Sequence, residues 1–165
     1  MNSIVVQTSL GRIGIEFSSR GLTRLRLRPA RARSGDRTES APAWLPRLTR
    51  DLRRYADGRV VAWNIPIDLS GGTLFQRRVW QAMRQIPRGQ TRSYAWVAGK
   101  IGRPHACRAV GAACGANPIP IIVPCHRVVA SDGSLGGYTG GLVRKKQLLR
   151  MERAPFTGTA SPAGR

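Results

Sequence analysis

A cysteine followed directly by a histidine, Cys125-His126, ends the apolar run Ile119-Pro-Ile-Ile-Val-Pro124 and leads into Arg127-Val-Val129. A thiol is a nucleophile in its thiolate form, and a neighbouring imidazole that takes or relays the proton is the usual way to make one near neutral pH. The run ahead of the pair is short, β-branched and bounded by prolines. It therefore predicts a buried strand that delivers the thiol to a fixed place. A bare Cys-His pair is more often a small buried thiol beside an incidental imidazole. Its surroundings decide otherwise.

Arg108-Ala-Val-Gly111 and Asn117-Pro118 precede the pair, and Gly136-Gly-Tyr138-Thr-Gly-Gly141 follows it. Further upstream stand Phe75-Gln-Arg-Arg-Val-Trp80, Ile86-Pro-Arg-Gly89 and Thr91-Arg-Ser-Tyr94, and downstream stands Glu152. In this order and spacing the motifs resemble the O6-alkylguanine-DNA alkyltransferases, which move an alkyl group from damaged DNA onto their own cysteine once. The resemblance is close over residues 72–153 and holds only in outline over the first 70.

The resemblance implies a role for each matching position. Cys125 is the nucleophile, and His126 works through a water and is held by Glu152, so that the dyad lowers the thiol pKa. Tyr94 sits near the flipped base and donates a proton as the base leaves. Arg108 is a finger that fills the gap left in the duplex, with Ala106, Ala109 and Gly111 on the same DNA-facing helix. Cys114, Val128, Tyr138 and Thr139 border the base, Val128 and Thr139 through their backbones, and Asn117 is a hinge. Cys114 departs from the larger apolar residue that some relatives carry there. The implied partner is double-stranded DNA containing O6-alkylguanine or O4-alkylthymine, with no obligate protein partner and cooperative assembly on DNA left open. No cofactor is implied. The structural zinc of some relatives has no counterpart, because no Cys or His precedes residue 105. A lesion sensor of the same family would replace the reactive cysteine, which this chain keeps.

Composition agrees with a polyanionic partner. Against 28 Lys+Arg stand 8 Asp+Glu, a formal charge of +20, and cations that neutralise phosphates release counterions. Aromatics make up only 6%, too few for a sheet that stacks single-stranded bases. Three cysteines exclude a disulfide framework. Cys107 and Cys114 fall two helical turns apart, roughly 10 Å, too far for a bridge. A metal set drawn from His105, Cys107, Cys114, Cys125 and His126 fails because His105 and Cys107 would face opposite ways on one helix. No stretch is long enough to span a membrane and no export pattern opens the chain, which predicts a cytoplasmic protein, nucleoid-associated if bacterial.

The elements that must position these residues read as α+β. Ile4-Val-Val6 and Arg12-Ile-Gly-Ile-Glu-Phe17 flank the turn Ser9-Leu-Gly11, and Leu22 to Arg28 alternates as a third strand. Residues 28–43 form an Arg- and Pro-rich loop of unassigned role. Trp44 to Gly58 repeats Leu45, Leu48, Leu52 and Tyr55 at helical spacing, and Val61 to Ile67 alternates as a further strand. Ser70-Gly-Gly72 is the linker, which gives domains at 1–70 and 71–155 and a disordered tail at 156–165. Thr73 opens a capping box with Gln76. Ser93 caps the next helix, and a third follows Pro104 to about Gly115, so the last two form a helix-turn-helix with a small-residue recognition face. Residues 131–141 are a glycine-rich loop and Leu142 to Glu152 a closing helix that buries Leu142, Leu148, Leu149 and Met151. By resemblance, the first domain is RNase H-like and the second winged-helix-like, binding the minor groove.

Overall fold

A computed structural model of the chain describes residues 2–27 and 41–157. Most of the expected Arg-rich loop and residues 158–165 of the expected tail lie outside them. The described residues form a mixed α+β protein with a small antiparallel sheet and five α-helices. They fall into two compact units, one running through Gly71 and including Pro118–Pro120, the other holding Gly72–Asn117 and Ile121 onward.

In the first unit β1 (Asn2–Thr8), β2 (Gly11–Ser18) and β3 (Gly21–Leu27) pair in sequence order. Alternation sets the register, with Ile15 opposite both Ile4 and Leu25, so one face is apolar. Gly11, at φ 95°, makes the first turn possible. Helix α1 (Leu45–Ala56) starts with Pro46 in its first turn and buries Leu45, Leu48, Leu52 and Tyr55, the stripe its spacing predicts.

The strand expected over Val61–Ile67 does not form. Residues 61–67 alternate in exposure as expected, but pairing is confined to their end. There Leu22 N–H donates to the Pro66 carbonyl at 3.0 Å and Asp68 N–H to Leu22 at 2.7 Å. Pro66 has no N–H to give a ladder.

The second unit opens with α2 (Leu74–Met83), whose capping box forms in full: Thr73 Oγ1 accepts from Gln76 N–H while Gln76 Oε1 accepts from Thr73 N–H. The helix buries Val79, Trp80 and Met83, and Ile86 is buried just past its end. Trp80 Nε1 donates to the Ala113 carbonyl at 2.9 Å, tying α2 to the later helix that holds Ala113. A short parallel pairing joins β4 (Arg92–Ser93) to β5 (Val128–Val129). Ser93 then caps α3 (Tyr94–Lys100), accepting from Trp96 N–H at 3.1 Å. Helix α4 runs Cys107–Gly115, later than expected, which leaves His105 in the preceding turn and makes Ala106 the N-cap. Helix α5 (Leu142–Glu152) has the expected bounds. Its Leu148 and Leu149 are buried, but Leu142 is exposed and Met151 half-buried, and Lys145 and Glu152 are buried instead.

The first residues of the expected tail are held. Phe156 packs against Leu135, Leu149 and Ala154, and Thr157 N–H donates to the Gly133 carbonyl at 2.9 Å. An aromatic beside an unfilled apolar cluster has area to bury, which a low mean apolar content hides.

Candidate active site

The apolar run before Cys125 is buried but is not a strand. Pro118, Pro120 and Pro124 remove three ladder donors, and Ile121 takes φ 77°, so the chain turns instead of extending. Cys125 N–H donates to Val123 and Arg127 N–H to Pro124, closing a 3-10 turn over Cys125–Arg127. Helical turning puts Cys125, His126 and Arg127 on different sides of one tight bend. The β4–β5 pairing sets that bend beside the start of α3, which carries Tyr94.

Cys125, Tyr94, Tyr138, Thr139 and Gly137 wall a cavity of about 380 Å³ together with Gly111, Cys114 and Gly115 of α4. Asn117 reaches the thiol from the end of α4, its Nδ2 donating to Cys125 Sγ at 3.1 Å and to the Val123 carbonyl at 2.7 Å. Thr139 Oγ1 donates to the Gly115 carbonyl at 2.8 Å and fastens the glycine-rich loop to α4. The Tyr138 hydroxyl is buried without a hydrogen-bond partner among the described residues. Arg108 and Ala109 are exposed on α4, with Arg108 one turn before Gly111 on the same side of the helix. Val128 is not a wall. Its side chain is fully buried and its carbonyl accepts from Lys145 Nζ at 2.6 Å.

Behind the thiol lies a buried ionic network. His126 Nε2 stands 3.1 Å from Glu152 Oε1, and Arg127 donates to both carboxylate oxygens, Nε to Oε2 and Nη2 to Oε1, each at 2.8 Å. Arg127 Nη1 also donates to the Ile86 carbonyl at 2.6 Å. A Glu next to Arg153 at a helix end reads as solvated, yet Glu152 is buried. Burial works against its ionised form, but the hydrogen bonds from Arg127 and His126 prevail and hold the carboxyl well below the usual carboxylate range. An ionised carboxylate only accepts, so His126 carries its proton on Nε2 and offers Nδ1 as the basic nitrogen. Burial pushes the His126 pKa down against the pull of Glu152, which keeps the ring neutral.

In the resting state Cys125 does not have a depressed pKa. Burial pushes the thiol above its ordinary value, and the Asn117 hydrogen bond and the Lys145 charge offset this only in part. The lowering of the thiol pKa that the resemblance implies is thus opposed here by burial. Burial costs the thiolate more than the Asn117 and Lys145 contacts return. Burial likewise raises Tyr94 to about 12, so its hydroxyl remains a proton donor across the neutral range.

Two residues to which the sequence assigned no role complete the site. Arg127 fixes Glu152, and Lys145, fully buried, donates from Nζ to the carbonyls of Val128, Leu135 and Gly137. Lys145 thus pins the loop that carries Tyr138 to the turn that carries Cys125. The signal was present in α5, where Lys145, Leu148, Leu149 and Glu152 share the i, i+3, i+4, i+7 face. Charged residues at both ends of a buried stripe must find partners inside. Among the described residues, no cluster of three or more His, Cys, Asp or Glu could hold a metal ion.

The site sets a buried thiol in a cavity wall beside α4, and comparison with known proteins gives its class. The family described as 6-O-methylguanine DNA methyltransferase, DNA binding domain, matches residues 74–154. The methylated-DNA–protein-cysteine methyltransferase of Mycolicibacterium paratuberculosis is 54% identical over 102 residues, covering 62% of this chain and 61% of that one. The chain thus matches about three-fifths of that relative's length. The protein of the same name from Mycobacterium leprae is 48% identical over 120 residues, covering 69% of this chain and 72% of its own. The crystal structure of Mycobacterium tuberculosis OGT in complex with DNA superposes with a TM-score of 0.81 at 39% identity, covering 94% of this chain and 96% of that one. The chain belongs to the 6-O-methylguanine DNA methyltransferase family.

Proposed function

We propose that this protein repairs O6-alkylguanine in duplex DNA by moving the alkyl group onto Cys125, once per molecule and without a cofactor. The observation that carries this reading is Cys125 in the wall of a base-sized cavity, backed by His126 and Glu152 and bordered by α4. In the proposed step the proton of Cys125 passes to His126 Nδ1 through a water. The thiolate then attacks the alkyl carbon, so that a C–S bond forms as the bond to O6 breaks. Tyr94 gives the departing guanine its proton, and His126 and Tyr94 re-equilibrate through solvent. The net change is thiol plus alkylguanine to thioether plus guanine. A thioether has no evident route back, so each molecule acts once.

Reactive O6 is out of reach in the stack, so the nucleotide is extruded, with exposed Arg108 filling the gap. The small residues Ala106, Ala109 and Gly111 suit a helix lying close in the minor groove, where little sequence is read. The Val128 carbonyl and the Thr139 backbone serve the base edge, and Asn117 is the hinge. Lesions such as O4-alkylthymine, cytoplasmic residence, cooperative assembly on DNA, and an RNase H-like first unit with a winged-helix-like second unit belong to the same reading.

The test is intact-mass analysis after incubation with an O6-methylguanine duplex. One methyl group should appear per molecule and be located on Cys125, while Cys125→Ser should bind DNA and gain none. Methylation of that variant would move the acceptor to Cys107 or Cys114.

A further inference from the structure

Helix α5 ends on Arg153 in the left-handed region, φ 55°, and Ala154 N–H donates back to the Leu149 carbonyl at 2.9 Å. That turn stops the helix and lays Pro155, Phe156 and Thr157 along the second unit. These three residues lie past the end of the family match at residue 154, and each makes its own tie. The Pro155 carbonyl accepts from Thr91 Oγ1 at 3.0 Å, one residue ahead of β4. Phe156 packs on Leu135, the residue before Gly136. Thr157 donates from its N–H to the Gly133 carbonyl at 2.9 Å and from Oγ1 to the Asp132 carbonyl at 3.3 Å.

The two fastened segments lead to the two tyrosines of the cavity. Strand β4 runs directly into Tyr94, and Leu135 runs directly into the glycine loop that carries Tyr138. They also meet inside, where a Cβ on Gly136 would lie 2.7 Å from the Tyr94 hydroxyl, so the place of that hydroxyl depends on their spacing. The direct pairing of β4 with β5 covers two residues on each strand, and so short a ladder is marginal alone.

We infer that Pro155–Thr157 is a positioning strap for Tyr94: by holding the entry to β4 and the entry to the glycine loop at one spacing, it keeps the Tyr94 hydroxyl where the departing base takes its proton. This rests on the function proposed above. Pro155 and Thr157 are exposed and Phe156 is half-buried, so the strap adds little to global stability. Its leverage is on rate, because a reacting group displaced by about 1 Å can lose about a hundredfold.

The experiment is a double-mutant cycle on single-turnover methyl transfer at saturating O6-methylguanine duplex, with duplex affinity measured alongside. Phe156→Ala should slow transfer about tenfold while affinity stays within about threefold, and Phe156→Leu should restore most of the rate. In a Tyr94→Phe background, where no hydroxyl remains to be positioned, Phe156→Ala should change the rate less than about twofold. The same fold loss in both backgrounds would assign the strap to general packing and overturn the inference, as would an unchanged rate for Phe156→Ala. If Phe156→Ala melts too low to assay, Thr91→Val, which removes only the hydrogen bond to Pro155, decides on the same criterion. Failure of the unaltered chain to accept any methyl group would instead overturn the proposed function.

Discussion

Lys145 is the residue whose chemistry is least expected for its place. Its ammonium is fully buried on three carbonyls, and burial brings its pKa down from 10.5 to about 8. Replacing it by Met would leave those carbonyls buried without a donor, at a cost of about 1–3 kcal/mol. The depressed pKa adds a pH signature. Between about pH 8 and 10.5 the unfolded chain holds more protons at this group than the folded one, so its contribution to stability rises with pH through that window and is lost as pH falls through about 8. Melting temperatures over that range should therefore separate the unaltered chain and Lys145→Met progressively, with the unaltered chain gaining. Parallel curves would mean that the amine stays hydrated. Cys125, His126 and Asn117 are legible through the ordered motifs around them, which carry the family resemblance. Lys145 and Arg127 are not, because in a chain of charge +20 another cation reads as surface. Only its position on the buried face of α5 distinguishes Lys145.

At the scale of elements, periodic segments are legible and proline-broken ones are not. The hairpin, α1, the capping box of α2 and the bounds of α5 follow from alternation, helical spacing and end signals. The runs at 61–67 and 119–124 carry strand composition, yet Pro66 and the three prolines from 118 to 124 withhold the donors that would have made them strands. Where the chain turns instead, glycine loops complete the cavity, and Gly136 shows how closely. It sits at φ 60°, and a Cβ there would lie 2.7 Å from the Tyr94 hydroxyl and 3.0 Å from its ring. Gly136→Ala should push the Tyr94 ring off its position against the cavity. Overpacking of this kind costs about 1–3 kcal/mol, and a displaced proton donor slows transfer further. The expected result is a lower melting temperature together with a methyl-transfer rate reduced by about tenfold or more. A variant with normal melting and a normal rate would show that the loop shifts instead of Tyr94, and that the position of its hydroxyl is not rate-determining.

For the whole molecule, the consequence of single use is that the product of the reaction is the protein itself. Cys125 lies in a turn where every neighbour from Ile121 to Val129 is buried, and its Sγ accepts a hydrogen bond from Asn117. The same Asn117 amide nitrogen holds the Val123 carbonyl at 2.7 Å, and Asn117 is the last residue of the second unit before Pro118–Pro120, which belong to the first. An alkyl group on Sγ adds volume where packing is dense and takes up the space from which Asn117 donates. The Asn117 amide must then move, and the turn it fastens loses a buried hydrogen bond. Both effects act in the same direction: about 1–3 kcal/mol from overpacking and about 1 kcal/mol from the hydrogen bond. Against total stabilities of about 5–15 kcal/mol, that is a sizeable fraction. The stoichiometrically methylated protein should therefore melt several degrees below the free protein, and the benzylated protein lower still, since the larger group displaces more. Differential scanning calorimetry of the free, methylated and benzylated forms checks this. A melting temperature that stays level or rises on alkylation would show that the Asn117 contact does not couple the cavity to the fold.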